Sequence, residues 1–476
     1  MNDRLELTAD EMRDLGYRVV DLLVNHFEGL PDERVPNITR RGEVEARLRE
    51  PVPAEGSDPA DVLAQLQRDV MPFTSHVDHP RFFAFIPSPS NFVSVMADAL
   101  TSGLNVFAGT WIESAGPSMV EWTVVDWLRD LCGMPEGAGG LCVSGGSMAN
   151  LTALAAARHV HLEDWTDGAV IYCSDQAHAS IDRSLRVLGF SDEQIRRLPP
   201  DDAFRLDLHA LRRAVAEDRA AGRRPFCVVA SAGTTNTGAV DPLDALADFC
   251  EAEHLWLHVD GAYGAAAVLC EKGRTLLNGL GRAHSLSLDP HKWLFQPYEI
   301  GCVLVRDRRW LKDTFHYLPE YMQDTQRPEE EEVNYCDYGI QLTRSFRALK
   351  LWMSIKVFGL DAFRAAVERG FTMAEAAEEI VREMPEWTLA TRAQMGILSF
   401  RYTPKDVPEA RWNDLNRTLV ARINADGFAM VSSTVVYGET VLRLCPINPR
   451  LTEEDLRASF ERFDGIADSL RGEDGG

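Results

Sequence analysis

The chain has 476 residues, of which 45% are hydrophobic and 26% are charged, so it is not a disordered protein and can fold into two or three packed units. Its formal net charge of −24 disfavours nucleic acids and anionic membranes as binding partners, because both repel an acidic surface. The nine cysteines include no C-x-x-C pair, so we expect no metal site and no disulfide framework, and free thiols are typical of the cytoplasm.

The N-terminal segment, residues 1–80, carries no signal-peptide pattern and predicts helices that need a packing partner. Thr8 and Glu11 have the spacing of a capping box, and apolar residues then recur at helical spacing as far as Phe27. A second helix is predicted over residues 57–71. These helices are too few to bury their own apolar stripes, so we expect them to pack on the main body or on another subunit.

Residues 81–358 have the pattern of a large α/β domain. After an aromatic, proline-rich segment, helices are predicted at 91–104 and 117–132. Short apolar runs then alternate with amphipathic stretches, which predicts strands at 140–143, 169–173, 226–231, 255–259, 284–288 and 301–305 and helices at 147–161, 178–188, 207–221 and 242–253. This alternation predicts a mostly parallel sheet with helices on both faces, whose ligands bind beyond the carboxyl ends of the strands.

Residues 314–340 interrupt this pattern, and residues 359–476 follow it with a different one. The first segment has prolines, an acidic run and little periodicity, which predicts a loop that closes over a site. Helices are predicted at 344–358 and 361–384. Strands at 386–391, 396–402, 429–436 and 439–445 with helices at 407–425 and 452–470 predict a small C-terminal α+β domain.

Lys292 lies in an unusual setting, because the sequence Ser287-Leu288-Asp289-Pro290-His291-Lys292-Trp293 surrounds it with apolar and aromatic residues. Burying an ammonium group is costly, so a lysine in such a place tends to lose its proton and become a nucleophilic amine. The alternative is a lysine that reaches solvent from a strand end.

Four other polar segments follow predicted strands and would meet Lys292 at one edge of the sheet: Ser144–Asn150, Ser174–Ser180, Gly233–Gly238 and His258–Tyr263. The first has glycines at a helix start, which attracts anions, although it matches no nucleotide-binding motif. His178 could equally be structural, and Asp260 could be a helix N-cap. A phosphate cradle, an imidazole, an acid and an amine together are the parts of a pyridoxal-phosphate site, in which the lysine bonds to the cofactor and the acid pairs with its ring nitrogen.

These motifs resemble those of the group II pyridoxal-phosphate-dependent amino-acid decarboxylases, of the aromatic-L-amino-acid decarboxylase type. The resemblance runs from the N-terminal helices to about residue 384, and more loosely beyond. Its most specific motifs are Asp289–Trp293, Ser174–His178, Leu257–Asp260 and Arg344–Trp352. The resemblance implies a fold-type I α/β enzyme, with a mostly parallel, seven-stranded type of sheet in its large domain. Such an enzyme converts an L-amino acid to its amine and CO2. It also implies a homodimer with active sites at the subunit interface, which would give the N-terminal helices a partner.

The resemblance also assigns roles to residues of this chain. Lys292 would carry the cofactor covalently, Asp260 would pair with the ring nitrogen, and Ala262 would lie under the ring. His178 would stack on the other face, near the substrate carboxylate. The remaining cofactor-binding positions are Gly146, Ser147, Thr235, Asp289 and His291; many relatives have asparagine in place of Asp289.

Tyr335 aligns with the catalytic loop tyrosine of the family, whose hydroxyl can protonate the α-carbon after CO2 leaves. Relatives with phenylalanine at this position tend to make aldehydes, so Tyr335 favours a true decarboxylase. The alternatives are a decarboxylating aldehyde synthase, a decarboxylase of a non-aromatic amino acid, another fold-type I enzyme such as an aminotransferase, and a non-catalytic relative that keeps the fold.

The substrate is expected to be aromatic, because the predicted substrate-contacting positions are mostly apolar: Phe85, Ser88, Phe107, Trp111 and Thr343. Gly109 stands where animal aromatic decarboxylases have phenylalanine and is expected to open space. Thr343 stands where many members have glycine and is expected to remove space. We therefore expect tyrosine, phenylalanine or DOPA to be preferred to tryptophan.

Overall fold

The computed structural model describes residues 5–317, 320–325 and 332–474, and a seven-stranded sheet lies at the centre of this part of the chain. Its strands are β1 (Gly139–Val143), β2 (Ala169–Ser174), β3 (Ile195–Leu198), β4 (Arg224–Ser231), β5 (Trp256–Asp260), β6 (Ser285–Leu288) and β7 (Gly301–Val305). The strand order is β1-β7-β6-β5-β4-β2-β3. In this sheet β7 runs in the opposite direction to the other six strands. This confirms the prediction of a mostly parallel α/β fold.

Both faces of this sheet are covered by helices. Val228 and Val229 are consecutive residues of β4, yet they belong to separate apolar clusters, because successive strand residues point to opposite faces. The helices of this part of the chain are α4 (Phe92–Gly103), α5 (Trp111–Leu131), α6 (Gly146–Leu162), α7 (Ser180–Val187), α8 (Leu208–Ala220), α9 (Leu243–Glu253), α10 (Glu271–Leu276), α11 (Arg309–Phe315) and α12 (Ala348–Phe358). None of the helices in the described residues is both long enough and apolar enough to cross a bilayer.

The N-terminal segment forms α1 (Ala9–Gly29), α2 (Arg41–Leu48) and α3 (Pro59–Asp69). The predicted capping box is present, with Thr8 and Glu11 bonded to each other's backbone amides. No residue of α1 is buried, and its exposed apolar side chains are Met12, Tyr17, Val20 and Val24. Of the predicted apolar stripe only Met12 is exposed in a single chain, whereas the residues from Leu15 to Phe27 that belong to the stripe are half-buried.

The C-terminal part of the chain has its own antiparallel sheet and its own apolar cluster. The elements are α13 (Leu360–Glu383), β8 (Trp387–Gln394), β9 (Ile397–Tyr402), α14 (Trp412–Asp426), β10 (Ser432–Val436), β11 (Glu439–Leu444) and α15 (Glu453–Asp474). The strand order of this sheet is β10-β11-β9-β8. Phe83 packs into this cluster and exchanges backbone hydrogen bonds with Met430 and Cys445. The aromatic segment before α4 is thereby fixed against the small sheet.

Several elements differ from the prediction. β3 was not predicted, because two of its four residues are arginines and it has no apolar run. The short helices α2, α10 and α11 were also not predicted. Helix α5 begins six residues earlier than expected, with a kink at Ser114 ahead of Pro117. In the predicted loop 314–340, residues 320–325 and 335–337 form 3-10 helices, while residues 318–319 and 326–331 lie outside the described residues.

A buried ion pair joins the large sheet to the segment that precedes α12. The Arg344 guanidinium donates to Glu121 at 2.5 Å and to the carbonyls of Cys142 and Ala108, both at 2.8 Å. Glu121 also accepts from the Cys142 amide at 2.8 Å. Both side chains are almost fully buried. Loss of one partner would leave the other charge buried and unpaired, which is costly.

We therefore predict that Glu121→Ala lowers the free energy of unfolding by about 3 kcal/mol, because the Arg344 charge loses its buried partner. The matched control is Asp361→Ala, which removes an exposed ion pair with Arg364 and should cost less than about 1 kcal/mol. Urea denaturation of both variants measures the difference. Equal losses would show that the buried pair has no special role in stability.

Candidate active site

A cavity of about 280 Å³ lies at the carboxyl ends of β1, β4, β5 and β6, where the sheet topology predicts a ligand site. The structure brings all nine predicted cofactor-binding residues to the wall of this cavity: Gly146, Ser147, His178, Thr235, Asp260, Ala262, Asp289, His291 and Lys292. They come from five different segments of the chain, and the sheet places those segments side by side.

The Lys292 ammonium is paired with a carboxylate. Its Nζ lies 2.9 Å from Asp289 Oδ2, and the lysine side chain is 24% exposed. Burial by itself lowers the pKa of Lys292, but the charges of Asp289 and Asp260 more than offset this, so the pKa lies above its ordinary value. The expectation that the apolar setting would deprotonate this lysine is therefore wrong for the chain without ligand, because Asp289 supplies a counter-charge that hydrophobic patterning does not reveal.

Asp260 is held by a network of buried polar groups. Its carboxylate accepts from Asn150 Nδ2 at 3.0 Å, from Ser287 Oγ at 3.1 Å and from the Ala262 amide at 3.1 Å. The Asn150 amide oxygen lies 3.0 Å from His258 Nε2. Burial lowers the pKa of His258 to about 4, so this ring is neutral at pH 7. The network fixes the direction in which the Asp260 carboxylate faces the cavity.

The ring of His178 is oriented by Ser180, the first residue of α7. The Ser180 amide donates to His178 Nδ1 at 3.2 Å, and the Ser180 hydroxyl lies 2.8 Å from the same nitrogen. A neutral ring with an acceptor at Nδ1 carries its proton on Nε2. Ser180 Oγ also accepts from Asn150 at 2.9 Å, which connects His178 to the residues that hold Asp260.

The start of α6 forms an anion cradle. Gly146 and Ser147 are the first residues of this helix, and amide groups in a first turn have no partner within the helix. A Cβ atom at Gly146 would lie 2.8 Å from the Cβ of Ala262 and 2.8 Å from Asp289 Oδ2, so only glycine fits. Asp289 Oδ1 is buried without a hydrogen-bond partner among the described residues. These donors, with an amine and an oriented acid nearby, fit a phosphorylated aldehyde with a basic ring.

Three residues that support the site were not predicted from the sequence. Asn150 and Ser287 hold Asp260, and Arg443 donates to the Thr235 carbonyl at 2.6 Å. The sequence signal for Asn150 is a polar residue among apolar neighbours in α6, one turn after the glycines. Arg443 comes from β11 in the C-terminal part of the chain, and only the tertiary structure brings it to Thr235.

The other predicted site residues do not line the Lys292 cavity in the single chain. Ser88 comes closest, because its buried hydroxyl donates to the His291 carbonyl at 2.5 Å. Phe85 is 62% exposed, and its carbonyl accepts from Arg443. Four residues form a separate group, which we term the Tyr335 cluster: Phe107, Trp111, Tyr335 and Thr343.

Hydrogen bonds hold the segment of residues 107–111 against the segment of residues 334–336. The Trp111 amide donates to the side-chain oxygen Oδ1 of Asn334 at 2.9 Å, and the Cys336 amide donates to the Gly109 carbonyl at 2.9 Å. The Tyr335 ring is buried with its centroid 5.0 Å from the Arg344 guanidinium, and burial raises its pKa well above the ordinary value. Tyr335 is therefore a neutral phenol.

Gly109 does not open the space that the sequence suggested. A Cβ atom at this position would lie 2.6 Å from the Phe107 ring and 2.7 Å from the Leu342 carbonyl oxygen. The Phe107 side chain occupies the place beside Gly109. The prediction that Gly109 opens space for the substrate is therefore wrong for this chain.

Comparison with known proteins gives consistent matches along the chain. Residues 42–403 match the family described as the pyridoxal-dependent decarboxylase conserved domain. The chain is 47% identical over 471 residues to a protein of Bacillus atrophaeus named aromatic-L-amino-acid decarboxylase, which covers 99% of this chain and 98% of that protein.

Two solved structures are similar over almost their whole length. The Oryza sativa protein named TDC, crystallised with PLP and tryptamine, has a TM-score of 0.93 at 28% identity and covers 98% of this chain and 99% of its own. The 4-hydroxyphenylacetaldehyde synthase of Rhodiola rosea has a TM-score of 0.91 at 27% identity. The match covers 98% of this chain and 99% of the Rhodiola rosea chain.

We predict that Lys292 is the residue that bonds to an aldehyde placed in this cavity. Incubation with pyridoxal phosphate followed by borohydride reduction should add one pyridoxyl phosphate mass to the peptide containing Lys292. Lys292→Ala should show neither this mass nor the visible absorbance of the bound aldehyde, while it remains folded. The control Lys312→Ala, on exposed α11, should behave like the unchanged protein. Labelling of Lys292→Ala at a different cavity residue would refute the assignment.

Proposed function

Because the chain belongs to the pyridoxal-dependent decarboxylase family and its cofactor is therefore pyridoxal 5′-phosphate, we propose that it converts an aromatic L-amino acid to the corresponding amine and CO2. One observation carries the proposal: the Lys292 amine, the oriented Asp260 carboxylate and the His178 ring share one cavity with an anion cradle. The name of the Bacillus atrophaeus relative supports an aromatic substrate.

The chain's residues have distinct roles in this chemistry. The bound cofactor supplies a ring that accepts the electron pair left when CO2 departs. Gly146, Ser147 and Thr235 would hold its phosphate, Lys292 would bond to its aldehyde carbon, and Asp260 would keep its ring nitrogen protonated. Asn150 and Ser287 hold the Asp260 carboxylate in a fixed direction, so the acid does not have to reorganise during the reaction. His178 would donate a hydrogen bond from its Nε2–H group to the substrate carboxylate and so orient the bond that breaks.

The proton that completes the reaction needs an acid near the α-carbon. Tyr335 fits this role chemically, because burial keeps its phenol protonated. Without that acid, the same site would be open to the aldehyde-forming route of the Rhodiola rosea relative. Tyr335 therefore favours the amine as the product.

A homodimer would unite the two groups of predicted site residues. In a single chain the Tyr335 cluster lies apart from the Lys292 cavity, and several apolar side chains on the same segments are exposed: Leu100, Leu104, Ile112, Ile340 and Leu342. The exposed apolar side chains of α1 add to this surface. Exposed apolar surfaces of this kind are typical of subunit interfaces. We propose that the Tyr335 cluster of one subunit completes the Lys292 cavity of the other.

The sequence features also support a cytoplasmic location within this proposal. All nine cysteines are free and buried, so none is paired in a disulfide. Free thiols of this number are stable in a reducing compartment. The net charge of −24 agrees with a protein dissolved in that compartment.

A substrate panel tests the proposed function directly. We expect tyrosine, phenylalanine or DOPA to give the highest kcat/KM among the twenty amino acids, DOPA and 5-hydroxytryptophan, with release of CO2 and the amine. Product masses and CO2 release are the measurements. A preference for glutamate, histidine or a diamino acid would overturn the aromatic assignment, and an aldehyde as the main product would overturn the assignment of the amine.

Mixed dimers test both the role of Tyr335 and the shared site. Tyr335→Phe alone should lose most amine formation and divert part of the flux to aldehyde with consumption of oxygen. Lys292→Ala alone should be inactive. Co-expression of the two variants creates dimers in which one site combines Lys292 with Tyr335, so amine formation should recover to about a quarter or less of the unchanged enzyme.

The matched control for the mixed dimers is co-expression of Lys292→Ala with Asp260→Ala. Both changes affect the same cavity, so no site in that mixture is intact. Recovery in this control, or failure of the first mixture to recover although mixed dimers are isolated by affinity tags, would contradict the shared site.

A further inference from the structure

We propose that His26, His76 and Asp78 form a binding site for a divalent transition-metal cation, and that zinc is the occupant their side chains favour. The three residues lie outside the Lys292 cavity and take no part in the chemistry proposed above. The cysteine spacing predicted no metal site, but the ligands here are imidazole and carboxylate groups. His26 and Asp78 are 52 positions apart along the chain, so no local motif joins them.

The three ligand atoms already lie close together. His26 Nε2 is 3.0 Å from Asp78 Oδ2, and the ring centroids of His26 and His76 are 5.4 Å apart. One nitrogen of each ring and one carboxylate oxygen all lie within 4.8 Å of one another. Zinc–ligand bonds are about 2.0–2.1 Å long, so the ligand atoms of a tetrahedral zinc ion are about 3.3 Å apart. Small rotations of these side chains would therefore complete the coordination.

The types of ligand determine which cations can bind. Two imidazole nitrogens and one carboxylate oxygen suit zinc, and such a set leaves a fourth position for a water molecule. Nickel, cobalt and copper accept the same ligands, whereas magnesium and calcium prefer oxygen ligands. The site should therefore bind zinc and reject magnesium.

The backbone that carries two of the ligands is fixed by distant segments. The His76 amide donates to the Val35 carbonyl at 3.0 Å, and the Asp78 carbonyl accepts from Asn448 Nδ2 at 2.8 Å. The side chains of His26 and Asp78 are 24% and 14% exposed, so a cation can reach them from solvent. A site whose backbone is fixed before binding loses less conformational entropy when its ligand arrives.

Two further ionised side chains act on the ligands. Glu33 acts on both histidine rings, and Arg450 acts on the Asp78 carboxylate. The Arg450 guanidinium is held by other partners, because it donates to the Ser90 carbonyl at 2.6 Å and lies over the Phe27 ring. The two carboxylates together carry more charge than the single guanidinium, so the ligands still attract a cation.

A bound cation would fasten α1 to the segment that leads into the active site. His26 lies in the last turn of α1, a helix without a buried residue. Residues 76–78 come directly before the aromatic segment that carries Phe85 and Ser88. A cation that binds only when these segments meet stabilises the folded chain by mass action. Zinc should therefore raise the melting temperature.

The test uses full-length, untagged holoenzyme that has been treated with a chelator and dialysed. Zinc binding is measured by equilibrium dialysis with elemental analysis, and the melting temperature is measured with zinc, with magnesium and without either. His76→Gln and Asp78→Asn should each weaken zinc binding at least about tenfold and abolish the rise in melting temperature, because each removes one of three ligands. Magnesium should have no effect on any of these proteins.

The matched control is His159→Gln. His159 and Asp164 form a similar pair, with Nδ1 and Oδ2 2.8 Å apart, but they do not belong to the three-ligand group. This variant should bind zinc as the unchanged enzyme does. Zinc should also protect His26 and His76, but not His159, from modification by diethyl pyrocarbonate, as read from peptide masses of the unchanged enzyme.

Three results would overturn the proposal. The first is the absence of zinc binding at micromolar concentrations. The second is equal zinc affinity in the unchanged enzyme, His76→Gln and Asp78→Asn, which would place the bound zinc elsewhere. The third is modification of His26 and His76 at the same rate with and without zinc, and this result decides even where a variant does not fold. None of these measurements depends on turnover, so their outcome is separate from that of the proposed function.

Discussion

The active site depends on one buried amide, that of Asn150. Its nitrogen donates to Asp260 and to Ser180, and its oxygen lies within bonding distance of neutral His258. Asn150 is fully buried, so each of these bonds forms in a medium where an unmade bond is costly. A single residue of α6 thus orients the acid on β5 and, through Ser180, the imidazole of His178. The Asp260 carboxylate and the His178 ring therefore share one buried support, the Asn150 side chain.

The charged groups in the cavity lie around Lys292. Asp289 and Asp260 keep Lys292 protonated in the chain without ligand, although the surrounding residues are apolar. The Lys292 ammonium therefore forms an ion pair with the Asp289 carboxylate. Behind this pair, Tyr263 stacks on Trp293 with ring centroids 5.0 Å apart, which secures the backbone that follows the lysine.

The chain carries the parts of its site in two places. The cofactor-binding residues surround Lys292, and the Tyr335 cluster is built on the segments before α5 and α12. The buried pair of Arg344 and Glu121 ties the second place to the large sheet, so the cluster has a fixed position on the surface of the chain. The proposed homodimer would bring these two groups of predicted site residues together.

The sequence by itself determined the class of fold, the family and the cofactor. Alternating apolar runs predicted the mostly parallel sheet, and the motifs around His178, Asp260 and Lys292 predicted a pyridoxal-phosphate-dependent decarboxylase; the family match and the similar solved structures confirm both. These features are local, since a strand pattern or a motif of five residues can be read without knowing what packs against it. The predicted cofactor-binding residues line one cavity for a related reason, because parallel strands bring the segments after them to one edge.

Only the tertiary structure decided which charges and cavities the site contains. Sequence patterning predicted a deprotonated Lys292 and an open space at Gly109, and both predictions were wrong, because the Asp289 carboxylate and the Phe107 ring occupy positions that depend on how distant segments meet. The contact of Arg443 with Thr235 joins residues 208 positions apart along the chain. Electrostatic pairing and side-chain volume act through space over a few ångströms, and distance along the chain does not encode them.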